Sequence, residues 1–369
     1  MTTTGTGSQR LRLGTRGSRL ALTQSGQVAE ALRQAAAAGA LGEGSGGLGI
    51  DLVTVRTDGD GDRTPLRQLG GVGVFAARLR HALLDGEVDL VVHSFKDLPT
   101  QPVEGLEVIC VPAREDPRDA LCARDGLTLA DLPEGARVGT GSPRRAAQLL
   151  ATRPDLEVVD LRGNVPTRLA RVRGLEAVGV GTDEPVAPSR ADAAGDLDAV
   201  VLALSGLRRL GLEHCASEVL DLETMLPAPA QGALAVEARA GEDSAELARA
   251  VAVLDDEPTR LAVTAERALM ARLGAGCAAP VGAWAHLRGE SQEPRALVLR
   301  AVVTSLDGGQ EVGCELSTEL PETSGGPGTP GDTAAVRAAE ALGVRAAEVL
   351  LEDGADQIVD LYANKPRRD

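Results

Sequence analysis

The segment His93-Ser-Phe-Lys-Asp-Leu-Pro99 contains the first residues that could do chemistry, Lys96 and Asp97. An apolar run precedes them and Pro99 ends the segment, so both side chains follow a predicted buried strand. The 38 lysine and arginine residues include only Lys96 and Lys365 as lysines. A chain that uses arginine almost everywhere but keeps Lys96 indicates a need for a compact ammonium group. Asp97 is a candidate for acid-base chemistry, although a solvated ion pair at a strand end has the same local pattern.

Arginine recurs in turns that lead from predicted strands into predicted helices. These turns are Thr15–Ser18, Gly141–Arg145, Arg162–Arg168 and Ser205–Arg209. Ser18 and Ser142 are typical helix N-caps. Arg144 and Arg145 oppose the dipole of the helix that they begin, so they need an anion nearby unless solvent surrounds them. Because such turns gather at the carboxyl ends of strands in open α/β sheets, we expect a cation-lined cleft for a ligand with several carboxylates.

Cys277 lies in the glycine-rich segment Leu273-Gly-Ala-Gly-Cys-Ala-Ala-Pro280. The five cysteines are odd in number and widely spaced, which argues against a disulfide framework or a zinc site and favours a reducing compartment. A free cysteine is usually a small buried hydrophobe, but flanking glycines can leave a thiol exposed. Covalent chemistry and simple burial therefore both stay open for Cys277.

Two further motifs do not support a metal or nucleotide site. The acidic run Thr57–Arg63 begins like a calcium loop, but Arg63 takes the place of the required glycine and Leu69 that of the required glutamate. The segment Gly71–Ala76 fits G-x-G-x-x-A, yet a polar run precedes it instead of a strand. We therefore expect no metal and no dinucleotide.

Composition and charge restrict the possible partners. The chain has 369 residues, 43% hydrophobic residues and only 1% aromatic residues. A net charge of −16 repels nucleic acid and anionic membranes, and base stacking has almost no aromatic side chains to use. The first nine residues contain no apolar run of a signal peptide, and no segment is long and apolar enough to span a membrane. We expect a cytoplasmic protein with a small-molecule partner, no nucleic acid and no membrane.

The order of predicted strands and helices indicates an α/β fold. We expect domain 1 at residues 10–112 with a returning strand at about 230–250, and domain 2 at 113–229 with an insertion at 174–195. Domain 3 is expected at 251–369, with a small antiparallel sheet of three strands and a disordered linker at 317–332. The segments Arg114–Ala120 and Leu226–Gly232 are the predicted crossings between the first two domains.

Seven segments, in this order, resemble the motifs of the porphobilinogen deaminase (hydroxymethylbilane synthase) family. They are Arg12–Leu22, His93–Pro99, Arg114–Ala120, Gly139–Arg145, Leu161–Leu169, Leu226–Gly232 and Leu273–Pro280. The resemblance implies two lobes like those of type 2 periplasmic binding proteins, with the active cleft between them, and a third domain. It also implies a monomer that condenses four porphobilinogen molecules into hydroxymethylbilane with release of ammonia, in haem and porphyrin biosynthesis.

The resemblance implies a role for each matching residue. The catalytic residue would be Asp97, and one dipyrromethane cofactor per chain would be joined by a thioether to Cys277. The remaining cofactor-binding residues would be Lys96, Ser142, Arg144, Arg145, Arg162 and Arg168. The substrate-binding residues would be Arg16, Ser18, Arg162, Arg168 and Arg209.

One departure from the family and one alternative function stay open. The family often has lysine in Gly-Gly-Lys-Gly-Leu-Phe, whereas this chain has Val72 there, so one loop cation is missing. The alternative is a non-enzymatic two-lobed carboxylate-binding protein. That function would explain a cleft lined with arginine but would give Asp97 and Cys277 no role.

Overall fold

The computed structural model describes residues 10–38, 49–55, 74–175, 195–241, 247–248, 250–276, 278–288, 295–321 and 333–361. Within these residues lie two mixed sheets of five strands and one antiparallel sheet of three strands, each packed with helices. The predicted α/β fold with two lobes and a small third domain is therefore confirmed. The residue boundaries of the three domains stay a prediction.

The sheet of lobe 1 has the strand order β2-β1-β3-β10-β4. Its strands are β1 (Arg10–Thr15), β2 (Gly49–Thr54), β3 (Leu90–Ser94), β4 (Leu106–Cys110) and β10 (Leu234–Arg239), and its helices are α1 (Arg19–Ala37) and α2 (Val74–Leu84). Strands β1, β2 and β3 are parallel, whereas β10 runs antiparallel to β3 and β4. The apolar sides of β1, β3 and α1 meet in one core that contains Leu13, Leu32 and Leu90.

The sheet of lobe 2 repeats this arrangement in the order β7-β6-β8-β5-β9. Its strands are β5 (Asp119–Ala123), β6 (Arg137–Gly139), β7 (Glu157–Val159), β8 (Ala199–Ala203) and β9 (Glu218–Val219), and its helices are α3 (Pro143–Thr152), α4 (Val165–Leu169) and α5 (Leu204–Arg209). Strand β5 runs antiparallel to β8, as β10 does to β3 in lobe 1. Each lobe therefore receives its antiparallel strand from a crossover.

Two crossovers connect the lobes: residues 111–118 form the first crossover and residues 220–233 the second. They lie side by side, since the Glu115 N–H donates to the Gly232 carbonyl over 3.3 Å. Gly232 has φ +90°, and a Cβ there would lie 2.2 Å from the Glu115 oxygen, so only glycine fits this contact. The predicted crossing at Arg114–Ala120 ends earlier than expected, because Asp119 and Ala120 already belong to the buried strand β5.

Domain 3 packs helices on one face of its sheet, in the order β11-β12-β13. Its strands are β11 (Val281–Arg288), β12 (Ala296–Thr304) and β13 (Glu311–Glu319), and its helices are α6 (Glu257–Leu273), α7 (Ala334–Glu352) and α8 (Ala355–Ile358). The linker predicted from Ser317 starts too early. Residues Ser317 to Glu319 continue the pairing with β12, with Glu319 opposite Ala296.

Several predicted features lie partly or wholly outside the described residues. The acidic run, Val72 and half of the glycine motif fall in residues 56–73, most of the insertion in 176–194, and most of the linker in 322–332. Among the described helices, none is both long and apolar enough to cross a membrane.

Gly343 sets the distance between α6 and α7. A Cβ at Gly343 would lie 2.1 Å from the carbonyl oxygen of Ala265, so the two helices touch through their backbones. Ala265 directly precedes Glu266, which binds both crossovers, and Arg267, which binds lobe 1.

We expect Gly343→Ala to destabilise the protein by about 1–3 kcal/mol, because the added methyl group overpacks the helix crossing. The matched control is Gly26→Ala in α1, where a Cβ would meet no atom within 4 Å. That control should stabilise by about 0.5–1 kcal/mol, since alanine favours the helix. The measurement is the midpoint of urea unfolding, and an unchanged midpoint for Gly343→Ala would contradict the close approach.

Candidate active site

The sequence-predicted residues lie at the carboxyl ends of parallel strands in both lobes. Arg16 and Ser18 follow β1, and the turn with Lys96 and Asp97 follows β3. In lobe 2 the corresponding positions follow β6, β7 and β8; they are Ser142, Arg144, Arg145, Arg162, Arg168 and Arg209. Lys96 and Asp97 of lobe 1 interact electrostatically with Arg145 and Arg168 of lobe 2, respectively, so charged groups from both lobes come together here.

The turn after β3 is a short 3₁₀ helix, Phe95–Asp97. Lys96 is half-buried and Asp97 is exposed. The Lys96 ammonium donates to Oε1 of Gln231 over 3.2 Å. Burial, and then repulsion by Arg145, lower the pKa of Lys96 to about 8, while Asp97 acts in the opposite direction. Because the protonated form of Lys96 is destabilised in this way, an anion bound beside it would stabilise it.

A buried network anchors the strand end before this turn. The Glu237 carboxylate, 2% exposed, accepts from Arg80 over 2.7 Å and lies 3.1 Å from Nε2 of His93. Burial alone would raise the pKa of Glu237, but hydrogen bonds from His93 and Arg80 hold that pKa below its usual value. The network joins α2, β3 and β10, so it fixes the direction in which the turn leaves the sheet.

Asp119 is the anion beside Arg144 and Arg145. Its carboxylate is fully buried and accepts from Arg144 Nη2 over 2.7 Å and from Arg145 Nη2 over 2.7 Å. Burial alone would raise the pKa of Asp119, but the two guanidinium groups outweigh that effect and hold it well below its usual range. The anion that the helix start requires is therefore supplied in part by the protein itself.

Gln231, from the second crossover, links Asp119 to Lys96. Its Nε2 donates to Asp119 Oδ1 over 2.8 Å and to the Pro117 carbonyl over 2.7 Å. Its Oε1 accepts from Lys96 and, over 3.4 Å, from Arg145. Neither Asp119 nor Gln231 was predicted from the sequence as a site residue. The available signal was their position in the two predicted crossings, Arg114–Ala120 and Leu226–Gly232.

Two of the other predicted arginines, Arg168 and Arg209, have lowered pKa values. Arg168 is half-buried, and burial together with the charges of Arg145 and Arg162 lowers its pKa to about 10. Asp97 opposes this shift, so the turn of lobe 1 and the helix start of lobe 2 share one electrostatic field. Arg209 donates to the Gly232 carbonyl over 2.6 Å, and burial lowers its pKa. Repulsion of Arg168 by Arg145 and Arg162 is the property expected of a site for carboxylates.

The serines act first as helix caps. Ser18 Oγ accepts from the Ala21 N–H over 3.3 Å, and Ser142 Oγ accepts from the Arg145 N–H over 3.5 Å. Arg16, just before the first cap, is half-buried. Leu20 of lobe 1 packs against the buried cluster of lobe 2, which holds the start of α1 close to α4 and α5.

Cys277 lies outside the described residues. Its neighbours are defined: Gly274 ends α6 in the left-handed conformation at φ +65°, and the Gly276 carbonyl accepts from the Ala279 N–H over 2.9 Å. The cysteines among the described residues are buried, except Cys314, which is half-buried. The described part of the chain contains no cluster of three or more His, Cys, Asp or Glu side chains suited to a metal ion.

Comparison with known proteins gives one family. Residues 11–247 match the model "Porphobilinogen deaminase, dipyromethane cofactor binding domain", and residues 260–352 match "Porphobilinogen deaminase, C-terminal domain". The porphobilinogen deaminase of Cutibacterium acnes is 52% identical over 97% of this chain and 99% of that protein. Those of Micrococcus luteus and Thermobifida fusca are 51% and 48% identical, over 97% and 94% of this chain and 98% and 95% of their own lengths.

We expect the pKa of Lys96 to be near 8 in protein that carries the substitution Cys277→Ser, which keeps any group attached through that cysteine out of the site. Because the chain has only two lysines, ¹³C-methylation and NMR titration can resolve each ammonium group, and Lys96→Arg assigns the signal. Lys365 is the internal control. A Lys96 pKa at its ordinary value of 10.5 would contradict the burial beside Arg145.

Proposed function

The chain belongs to the porphobilinogen deaminase family, and we propose that it joins four porphobilinogen molecules in the cleft between its lobes. It is a transferase of tetrapyrrole biosynthesis that makes hydroxymethylbilane and releases ammonia. The observation that supports this location is the exposed carboxylate of Asp97 among cations from both lobes. Porphobilinogen carries an acetate and a propionate, so each added unit brings two carboxylates that need cationic partners.

The enzyme uses a dipyrromethane cofactor, and the donor set in the cleft fits that group. Burial, and then repulsion by neighbouring arginines, lower the pKa values of Lys96 and Arg168, so bound carboxylates would offset both effects. We propose that the carboxylates are held by Lys96, Ser142, Arg144, Arg145, Arg162 and Arg168, and that Cys277 forms the thioether. When bound, the cofactor supplies the nucleophilic pyrrole carbon to which substrate units are joined.

Arg144 and Arg145 already bind Asp119. They can bind a further carboxylate only through hydrogen-bond donors that are not yet used. Arg144 Nη1 already donates to the Leu226 carbonyl over 2.6 Å, and Arg145 Nη1 donates to the Val201 carbonyl over 3.1 Å. Each Nη group has two hydrogens, so one hydrogen on each of these two atoms is left for a carboxylate. We therefore assign these arginines to fixed, deep contacts.

The incoming substrate is bound by residues nearer the rim. We propose that Arg16, Ser18, Arg162, Arg168 and Arg209 hold its acetate and propionate groups. Arg209 is aimed by its bond to Gly232 of the second crossover, and Arg168 by its donation to the Gly163 carbonyl over 2.7 Å. Fixed guanidinium groups orient the aminomethyl arm of the substrate toward the turn after β3.

Asp97 is proposed as the catalytic residue. Loss of ammonia places positive charge on the substrate ring, and a nearby carboxylate stabilises that charge. The same carboxylate can accept a hydrogen bond from the pyrrole N–H. It can also take up the proton that is lost when the new carbon–carbon bond forms. The charge of Asp97 in turn favours the protonated forms of Lys96 and Arg168.

The oligomeric state, the compartment and the partners of the chain can also be proposed. We infer a monomer in the cytoplasm that acts on a small molecule without nucleic acid or membrane. The net charge of −16 supports the absence of nucleic-acid and membrane partners, since it repels both polyanions and anionic lipid surfaces.

Asp97→Asn should lower the turnover number about 10²–10⁴-fold, because the amide can neither stabilise the cation nor accept the proton. Ammonia release from porphobilinogen measures the rate, and the intact mass shows that the cofactor is still attached. Asp85→Asn, an exposed aspartate of the same lobe, is the matched control and should leave turnover unchanged. Near-normal turnover of Asp97→Asn would remove Asp97 from the chemistry.

The purified protein should have an excess mass of two pyrrole units on the peptide that contains Cys277. Cys277→Ser should lose this excess, whereas Cys314→Ser should keep it, because Cys314 is the half-buried control in the same domain. Intact-mass and peptide mass spectrometry measure both. An adduct on any other cysteine would contradict the assignment of Cys277.

A further inference from the structure

Arg267, in helix α6 of domain 3, contacts the turn that carries Lys96 and Asp97 in lobe 1. Its Nη1 donates to the Leu98 carbonyl over 2.8 Å and to the Phe95 carbonyl over 3.3 Å. Its Nη2 donates to the Pro99 carbonyl over 2.8 Å. One planar guanidinium group therefore binds the backbone on both sides of Lys96 and Asp97.

The same guanidinium group also lies on the aromatic ring of the turn. Its central carbon is 4.4 Å from the centroid of Phe95, a cation–π contact. Within the turn itself, the Leu98 N–H donates to the Phe95 carbonyl over 3.2 Å. Since a single internal hydrogen bond is a weak restraint for a three-residue turn, Arg267 supplies much of the order that the two site residues need.

Glu266, the preceding residue, prevents α6 from shifting. Its buried carboxylate accepts from Arg114 Nη1 over 2.7 Å and from the backbone N–H groups of Ala230 and Ala285 over 2.5 and 2.8 Å. Glu266 thus fixes the helix to both crossovers, while Arg267 fixes the catalytic turn to the helix. From Arg267 the helix continues for six residues, about 9 Å, to its end at Leu273, where the Cys277 segment begins.

We propose that Arg267 is a positioning residue that holds Asp97 and Lys96 in register with the cofactor loop. The inference rests on the proposed function, because the register matters only if Asp97 acts on a chain growing from Cys277. Arg267 acts through the backbone of the turn and not on the reacting atoms. Loss of this contact should therefore reduce turnover more than substrate or cofactor binding.

The test compares Arg267→Met, which keeps much of the stem, with Arg267→Lys and with the control Arg272→Met. Arg272 lies on the same helix and is paired with Glu348 at the surface. Per cofactor-loaded molecule, Arg267→Met should lower kcat about 10–100-fold, since small displacements of a reacting group have effects of this size. The KM should change by less than about threefold. Arg267→Lys should fall between, because a point charge cannot span the same carbonyls.

Two readouts do not depend on activity. Hydrogen exchange should become faster at the amide of Leu98, and the NMR titration of Lys96 should show a changed pKa in Arg267→Met but not in Arg272→Met. Unchanged exchange with unchanged kcat would overturn the proposal, as would a loss of activity explained entirely by missing cofactor. If Arg267→Met does not fold, the same comparison of Arg267→Lys with the wild type decides. Wild-type protein that releases no ammonia from porphobilinogen would contradict the proposed function, while the exchange and titration data would still report on Arg267.

Discussion

The buried carboxylate of Glu266 is the contact on which the position of the site depends. It is fully buried and binds one group from each crossover and one from strand β11. A charge in such a place is tolerated only when every lone pair is used, and removal of the Arg114 partner would cost about 3–5 kcal/mol. Both crossovers and domain 3 are therefore joined at this one carboxylate.

Asp119 is a second buried carboxylate that is paired with arginine, and it lies within the candidate active site. Both carboxylates stabilise crossover backbone or arginines that would otherwise be buried without partners, and Gln231 connects them. Its side chain binds Asp119, while its backbone carbonyl accepts from Arg114 Nε over 2.7 Å. Because Gln231 also accepts from Lys96, a movement of the second crossover would move the hydrogen-bond partner of Lys96. The two networks thus connect domain geometry to the electrostatics of the cleft.

Local patterns in the sequence predicted the elements well, and long-range partners poorly. The caps Ser18 and Ser142 have the predicted positions, because each depends on residues a few positions apart. Asp119, Gln231 and Glu266 were not recognised, since their partners lie between 19 and 152 positions away. The sequence correctly predicted that Arg144 and Arg145 need an anion nearby. Only the fold shows that Asp119, 26 positions from Arg145, is one.

The choice of lysine at position 96 follows from these surroundings. Arginine keeps its proton at every physiological pH, so a third guanidinium beside Arg144 and Arg145 would repel them whether or not an anion were present. Lys96, with a pKa of about 8, holds its proton less firmly than an arginine would, and a carboxylate that binds beside it would raise that pKa. Its single ammonium also fits the one acceptor offered by Gln231. A chain that uses arginine almost everywhere else thus keeps lysine where a compact cation lies near two buried guanidinium groups.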